Sequence, residues 1–132
     1  VMQSLRDWMA LAAEREHLFR AWHDFFRDYD LLLCPITPTA AFPHDTSGTD
    51  ITGQFSRRLT VNGAPIPYLD NLAWPGLVTV ANLPATAIPT RRLVDGLPVG
   101  VQIVGPYLED RTPLRFAQLC ADELGGFIPP PL

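Results

Sequence analysis

Apolar residues Leu5, Trp8, Met9, Ala12, Phe19, Trp22, Phe25, Phe26 and Tyr29 recur at mostly helical spacing, while Arg6, Glu14, Arg15, Arg20, Asp24 and Arg27 populate the other side. This pattern predicts a long amphipathic helix with an aromatic second half, and burial of that stripe accounts for it better than a ligand box does. Ser4, three residues ahead of Asp7, supplies a hydroxyl and a carboxylate in the order of a capping box, so the helix begins there. It runs through Asp28-Tyr29-Asp30 into Leu31-Leu32-Leu33-Cys34-Pro35-Ile36. A short continuous apolar run of this kind predicts a strand buried on both faces, inside a helix-covered sheet and not at its edge.

The pattern is lost over residues 35–68, where prolines 35, 38, 43, 65 and 67 alternate with Ser, Thr, Gly and Asp. A long irregular excursion is expected, with a short turn at Thr60-Val61-Asn62-Gly63. From Tyr68 to Ala81 apolar residues return, and Pro75-Gly76 is expected to separate a helical turn from a following helix. Pro84-Ala85-Thr86-Ala87-Ile88-Pro89 predicts a strand bounded by prolines. Asp95-Gly96 marks a turn, and Leu97 to Pro106 places Val99, Val101 and Ile103 on one face of a second strand. The two strands can pair as an antiparallel hairpin. A last helix is expected with Thr112 as N-cap, Pro113 at its first position, Leu114, Ala117, Cys120, Ala121 and Leu124 as its buried stripe, and Gly125-Gly126 as its end. The order over residues 1–132 is helix, strand, long loop, two strands, helix, with no internal repeat. This is an α/β pattern, and so few strands make only part of a sheet.

Composition narrows the classes. A chain that is 47% hydrophobic and 18% charged does not resemble a disordered one. The net charge of −4 comes without blocks of like charge, and Arg57-Arg58 and Arg91-Arg92 are isolated pairs expected in solvated loops, so no nucleic-acid partner is implied. No stretch approaches a membrane span of roughly 20 apolar residues. Cys34 and Cys120 are too few for a disulfide framework and are expected to be buried as small hydrophobes. Val1-Met2-Gln3-Ser4 carries no signal pattern and suggests a boundary cut inside a longer chain, whereas Phe127 to Leu132 suggests a chain end.

A search for reactive groups finds none that combine. All ten basic residues are Arg, so a lysine base or Schiff base is excluded for this segment. Ser4, Ser47 and Ser56 are the three serines, and none sits in a nucleophile elbow. His17 and His23 point about 240° apart around a helix, and His44 is alone in the loop. Metal-ligand spacing is absent, and Glu16-His17 has no second histidine four residues on. Asp45-Thr46-Ser47-Gly48 lacks both the spacing and the preceding strand of an aspartic-protease loop. Glu109-Asp110 just ahead of Thr112-Pro113 fits stabilisation of a helix dipole better than acid/base work, and Gly100 and Gly105 lack the residues of a phosphate cradle.

Four segments, in order, resemble the closing region of the amidase-signature enzymes: Tyr29 to Pro38; Asn82-Leu83-Pro84-Ala85-Thr86-Ala87-Ile88-Pro89; Asp95 to Pro106, the most diagnostic, with its Gly-Leu-Pro-Val-Gly-Val-Gln-Ile-Val-Gly-Pro run; and Glu109 to Ala117. In the second, Leu83 alone separates Asn82 from Pro84 where many relatives carry a longer glycine-containing turn. The resemblance implies an α/β/α fold on a mixed sheet, of which this chain is the C-terminal segment and not a complete catalytic domain. It implies a cytoplasmic hydrolase of carboxamides using a Ser-Ser-Lys mechanism, with no cofactor and no metal. It implies that the catalytic residues lie upstream, so none is assigned here. The partners implied are a small-molecule amide and the upstream part of the same protein. By the same resemblance Trp74, Val78 and Thr79 border the substrate, with core packing the alternative for each. Two other readings stand beside it: a protein like the amidase-type subunit of a glutamyl-tRNA amidotransferase, and a non-catalytic fragment whose open strand edges are covered by a second copy in a homodimer.

Overall fold

A computed structural model describes residues 4–47 and 51–130. The readings placed on Val1-Met2-Gln3, Gly48 and the last two residues of the tail lie outside the described residues. The elements are α1 (Leu5–Asp28), β1 (Leu32–Pro35), α2 (Ile51–Ser56), β2 (Arg58–Val61), β3 (Ala64–Pro67), a 3₁₀ turn (Tyr68–Leu72), α3 (Ala73–Val80), β4 (Ala85–Val94), β5 (Leu97–Val104) and α4 (Arg111–Leu124).

The main sheet has the order β1-β5-β4, antiparallel throughout. Cross-strand partners share a face, so Leu32, Cys34, Gln102, Val104, Ala85 and Ala87 point one way and Leu33, Ile103, Thr86 and Ile88 the other. On the first face Cys34 and Val104 join Val78, Ala81 and Leu83 in a buried cluster, with Trp22 and Phe26 of α1 and Trp74 of α3 packed against it. α4 lies over β4 and β5 on the other face and shuts off Ile103. The result is α/β/α, as the resemblance implies, and the parallel members of a mixed sheet are not among the strands described here.

One expectation is reversed. β1 is an edge strand, and of its residues only Cys34 is buried, while Leu33 is 54% exposed. Alternation sends Leu33 to the face of α4, and α4 packs on β4 and β5. A continuous apolar run therefore states what a strand is suited to meet, and in this chain one side of β1 has no cover.

The expected excursion is also more ordered than predicted. Asn62 and Gly63, with φ of 50° and 80°, form the two-residue turn of a hairpin joining β2 and β3. The prolines that argued against strands do not obstruct it. Counting from the turn, Pro65 and Pro67 stand at non-hydrogen-bonded positions opposite Thr60 and Arg58, where a missing N–H costs no ladder bond. The Tyr68 N–H then bonds the Arg57 carbonyl at 3.1 Å, continuing the ladder. Arg57 departs from a solvated loop residue: its Nε donates to the Ser47 carbonyl at 2.8 Å and its guanidinium lies over the Tyr68 ring.

Asp95-Gly96 makes the same kind of turn between β4 and β5, with φ of 51° and 79°. β4 runs past the predicted Pro89 to Val94 through a bulge. There Arg91 is left-handed, and the Thr90 hydroxyl donates to the Val99 carbonyl at 2.6 Å in place of a ladder bond.

Two helix boundaries move for the same reason. α3 begins at Ala73 and contains Pro75-Gly76, because a proline in the first turn removes an N–H that has no helical acceptor. α4 likewise begins at Arg111 with Asp110 as N-cap, not Thr112, and keeps Pro113 in its first turn. Its inward residues are Pro113, Phe116, Ala117, Cys120 and Ala121, while Leu114 and Leu124 face outward. α1 begins as predicted, with both halves of the Ser4–Asp7 capping box formed.

The chain exposes 10270 Å², whereas a compact monomer of 14.6 kDa exposes about 6,900 Å². Exposed apolar side chains are part of that surface. The first half of α1 leaves Leu5, Trp8 and Met9 uncovered, with Trp8 62% exposed. The second half of the same helix packs Trp22 and Phe26 on the core.

These contacts make two predictions. A Cβ on Gly105 would stand 2.7 Å from Cδ of the fully buried Pro113, whereas one on Gly76 in α3 would meet nothing within 4 Å. Urea unfolding is expected to show Gly105→Ala destabilising by about 1–3 kcal/mol and Gly76→Ala stabilising by about 0.5–1 kcal/mol. In α1, hydrogen bonds from the Ser4 side chain, then from its backbone, hold the Asp7 carboxyl below its ordinary pKa. A depressed native pKa gives stabilisation that is complete above the unfolded-state value and is lost as pH falls through the native one. The amide resonances of Leu5 to Trp8 should therefore shift toward a frayed helix end on acidification below about pH 4, and Asp7→Asn should abolish that step.

Candidate functional site

α3 carries the three residues singled out in the sequence, and its ends explain how it is held. Its C-terminal carbonyls are nearly all satisfied locally. The Leu83 N–H bonds the Val78 carbonyl and the Asn82 N–H bonds the Thr79 carbonyl, each at 3.1 Å. Asn82 between them is left-handed, with φ of 50°. This is the Schellman arrangement, and the buried pair Val78 and Leu83 provides the apolar contact that accompanies it. Asparagine is one of the few side chains that tolerates that backbone. The shorter turn noted in the sequence is thus closed by Asn82 itself.

A third carbonyl, that of Val80, accepts from Arg15 Nε of α1 at 2.7 Å, and Arg15 Nη2 donates to Asn82 Oδ1 at 2.7 Å. The sequence pattern assigns Arg15 to the polar side of α1. Spacing of Trp8, Ala12, Arg15, Phe19, Trp22 and Phe26 by alternate fours and threes puts it on the apolar stripe instead, and that spacing was the signal available.

Trp74 and Val78 lie one turn apart and both turn toward the core, Val78 fully and Trp74 partly. Thr79 is on the exposed side, with its hydroxyl donating to the Pro75 carbonyl at 2.8 Å. The fold therefore brings Trp74 and Val78 together and points Thr79 elsewhere. None of the three lines the 760 Å³ cleft between the second half of α1 and the segment after β5, whose lining includes Phe19, Trp22, Phe26 and Tyr107 together with Arg20, His23 and Glu109.

The serine hydroxyls are committed locally. The hydroxyl of Ser4 donates to Asp7, that of Ser47 to Asp45 and that of Ser56 to the Gly53 carbonyl, so no described serine is set against a histidine base. The Ser47 bonds also draw the Asp45 carboxyl below its ordinary pKa, as an exposed turn does. Glu109 and Asp110 sit at the N-terminus of α4, where Glu109 accepts from the Thr112 hydroxyl at 3.2 Å. Cys34 and Cys120 are both free thiols; Cys34 is buried and accepts from Gln102 Nε2 at 3.3 Å, and Cys120 is half-buried. No cluster of three metal-ligating side chains occurs among the described residues. No described helix is long and apolar enough to cross a membrane.

Known proteins resemble this chain in family, sequence and fold. The family model for Amidase matches residues 2–114. A glutamyl-tRNA(Gln) amidotransferase subunit from Lacticaseibacillus casei (strain BL23) is 34% identical over 103 residues, which are 78% of this chain and 18% of that protein. The protein of the same name from Streptococcus pyogenes serotype M5 (strain Manfredo) is 40% identical over 87 residues, 66% of this chain and 15% of its own length. Among solved structures, a crystal structure of amidase superposes with a TM-score of 0.74 at 26% identity, over 91% of this chain and 26% of that one. A second chain, from the structure described as "An unexpected vestigial protein complex reveals the evolutionary origins of an s-triazine catabolic enzyme", has a TM-score of 0.68 at 26% identity, over 92% of this chain and 25% of its own. The chain thus spans less than a fifth of these curated relatives and about a quarter of these solved chains, and by the family model and the fold together it belongs to the Amidase family.

Proposed function

We propose that this segment is the scaffold-bearing part of a hydrolase that cleaves the C–N bond of carboxamides, and that the reactive centre stands in another part of the parent protein. The observation that carries the reading is the family match over residues 2–114 in a chain with no lysine. In the Ser-Ser-Lys chemistry implied by the family, a neutral lysine acting through a bridging serine takes the proton of the nucleophilic serine, whose oxygen adds to the amide carbonyl. Backbone N–H groups hold the oxyanion, the C–N bond breaks with ammonia leaving, and water then releases the acid. None of those groups is assigned to this chain.

The role proposed for this chain is to complete the sheet and to form one wall against the acyl group, with Thr79 on the exposed side of α3 toward substrate and Trp74 and Val78 as its backing. Its partners are then a small amide and the upstream part of the same protein, in the cytoplasm. The surplus of exposed surface supports this, because roughly 3,400 Å² beyond the compact expectation exceeds the roughly 800 Å² that one partner contributes to a standard interface. A second reading is favoured by the names of the curated relatives: an amidotransferase subunit that hands ammonia to a partner acting on charged tRNA.

The test is ammonia release from simple aliphatic and aryl amides by the complete protein and by the purified 132-residue chain. The complete protein should be active and the chain inactive. Release by the chain, free of longer enzyme, sinks the division of labour. Glutamine-dependent transfer without free ammonia selects the second reading. A cooperatively melting dimer of the chain with no active parent selects the self-associating fragment.

A further inference from the structure

We infer that Arg15 is a positioning residue, which fixes the C-terminal end of α3 against α1 and thereby sets where the wall carrying Trp74 and Thr79 stands. The inference rests on the proposed role of that wall. Its first ground is geometric. One guanidinium reaches two acceptors of different kinds, the Val80 carbonyl at the helix end and the Asn82 side chain in the left-handed turn, both at 2.7 Å. A planar guanidinium fork holds two such acceptors in one fixed geometry, whereas the three donors of an ammonium rotate freely. The second ground is placement. Arg15 occupies a slot of the stripe whose other members are apolar or small, and its Cζ stands 5.2 Å from the centre of the Phe19 ring one turn on.

The third ground is what these bonds join. Thr79 and Val78 carbonyls are closed by the turn's own N–H groups, so the Val80 carbonyl is where a side chain from α1 can take hold. The residues that follow, Leu83 and Pro84, lead directly into β4, and the Pro84 carbonyl accepts from the Gly105 N–H at 3.0 Å. The sheet thus holds the far side of the turn, and Arg15 holds the near side. Since the Schellman bonds fix the turn to α3, moving Asn82 moves the whole eight-residue helix and Trp74 with it.

The clamp is tested by amide hydrogen exchange on the full chain. Arg15→Gln should speed exchange at Asn82 and Leu83 by about tenfold, Arg15→Lys should give an intermediate effect, and the β4–β5 ladder should be unchanged. Unchanged rates at Asn82 and Leu83 overturn the inference, as does an equal rise through the whole chain. Should Arg15→Gln fail to fold, Asn82→Asp offers the opposite change: a carboxylate acceptor should slow exchange at Leu83 with Arg15 present, and no slowing overturns the clamp.

The consequence for the wall is read in the complete amidase. Arg15→Gln should raise KM about tenfold for a bulky acyl amide while kcat stays within about twofold and acetamide is unaffected, with partial recovery in Arg15→Lys. An equal loss of kcat on both amides overturns the positioning role. An unsubstituted enzyme inert toward every amide overturns the amidase reading instead, and the exchange rates still decide the clamp.

Discussion

Strand β5 is hydrogen-bonded along both sides, and every layer of the described fold meets on it. Its last two residues, Ile103 and Val104, point to opposite faces and are both wholly buried. Val104 sits in the cluster that α1 and α3 close, and Ile103 lies beneath α4. Immediately after them Gly105 passes so close to Pro113 that a side chain there has no room, which ties the end of the central strand to the start of α4. A core this small has little redundancy, because each layer is joined to the others through the same few residues.

The same compactness at one end contrasts with open surface at the other. A 24-residue helix is about 36 Å long, and only its aromatic second half has a body to lie on. Leu5, Trp8 and Met9 continue the apolar face past the end of that body. In water such a face is costly, and isolated helical stability seldom holds it without packing. The segment spans about a quarter of the solved chains on which it superposes. Among the described polar groups, the Ser4 hydroxyl bonds Asp7, that of Ser47 bonds Asp45 and that of Thr112 bonds Glu109, all within caps and turns.

Several features are legible from residue order because local chemistry decides them. The Ser4–Asp7 cap, the Asp95-Gly96 hairpin turn and the antiparallel pairing it imposes each depend on residues near in sequence. The β2–β3 hairpin is equally local, yet prolines 65 and 67 hide it. A proline breaks a ladder only at a hydrogen-bonded position, and which positions those are depends on where the turn begins. Pro75 misleads in the same manner, since its effect depends on the turn of helix in which it falls. The candidate wall is legible only through the resemblance, and its neighbour Arg15 is not, because its acceptors lie 65 and 67 residues away.

Residue identity and short-range periodicity are enough to establish most of the elements, the α/β class, the family resemblance and the absence of a lysine. Long-range packing was needed to show that β1 lies at an edge, that Val78 turns inward while Thr79 turns out, and that Arg15 meets the end of α3. Each of these is a relation between residues far apart along the chain. The pattern of one segment records which faces want cover, and only the packed neighbours determine which of them receive it.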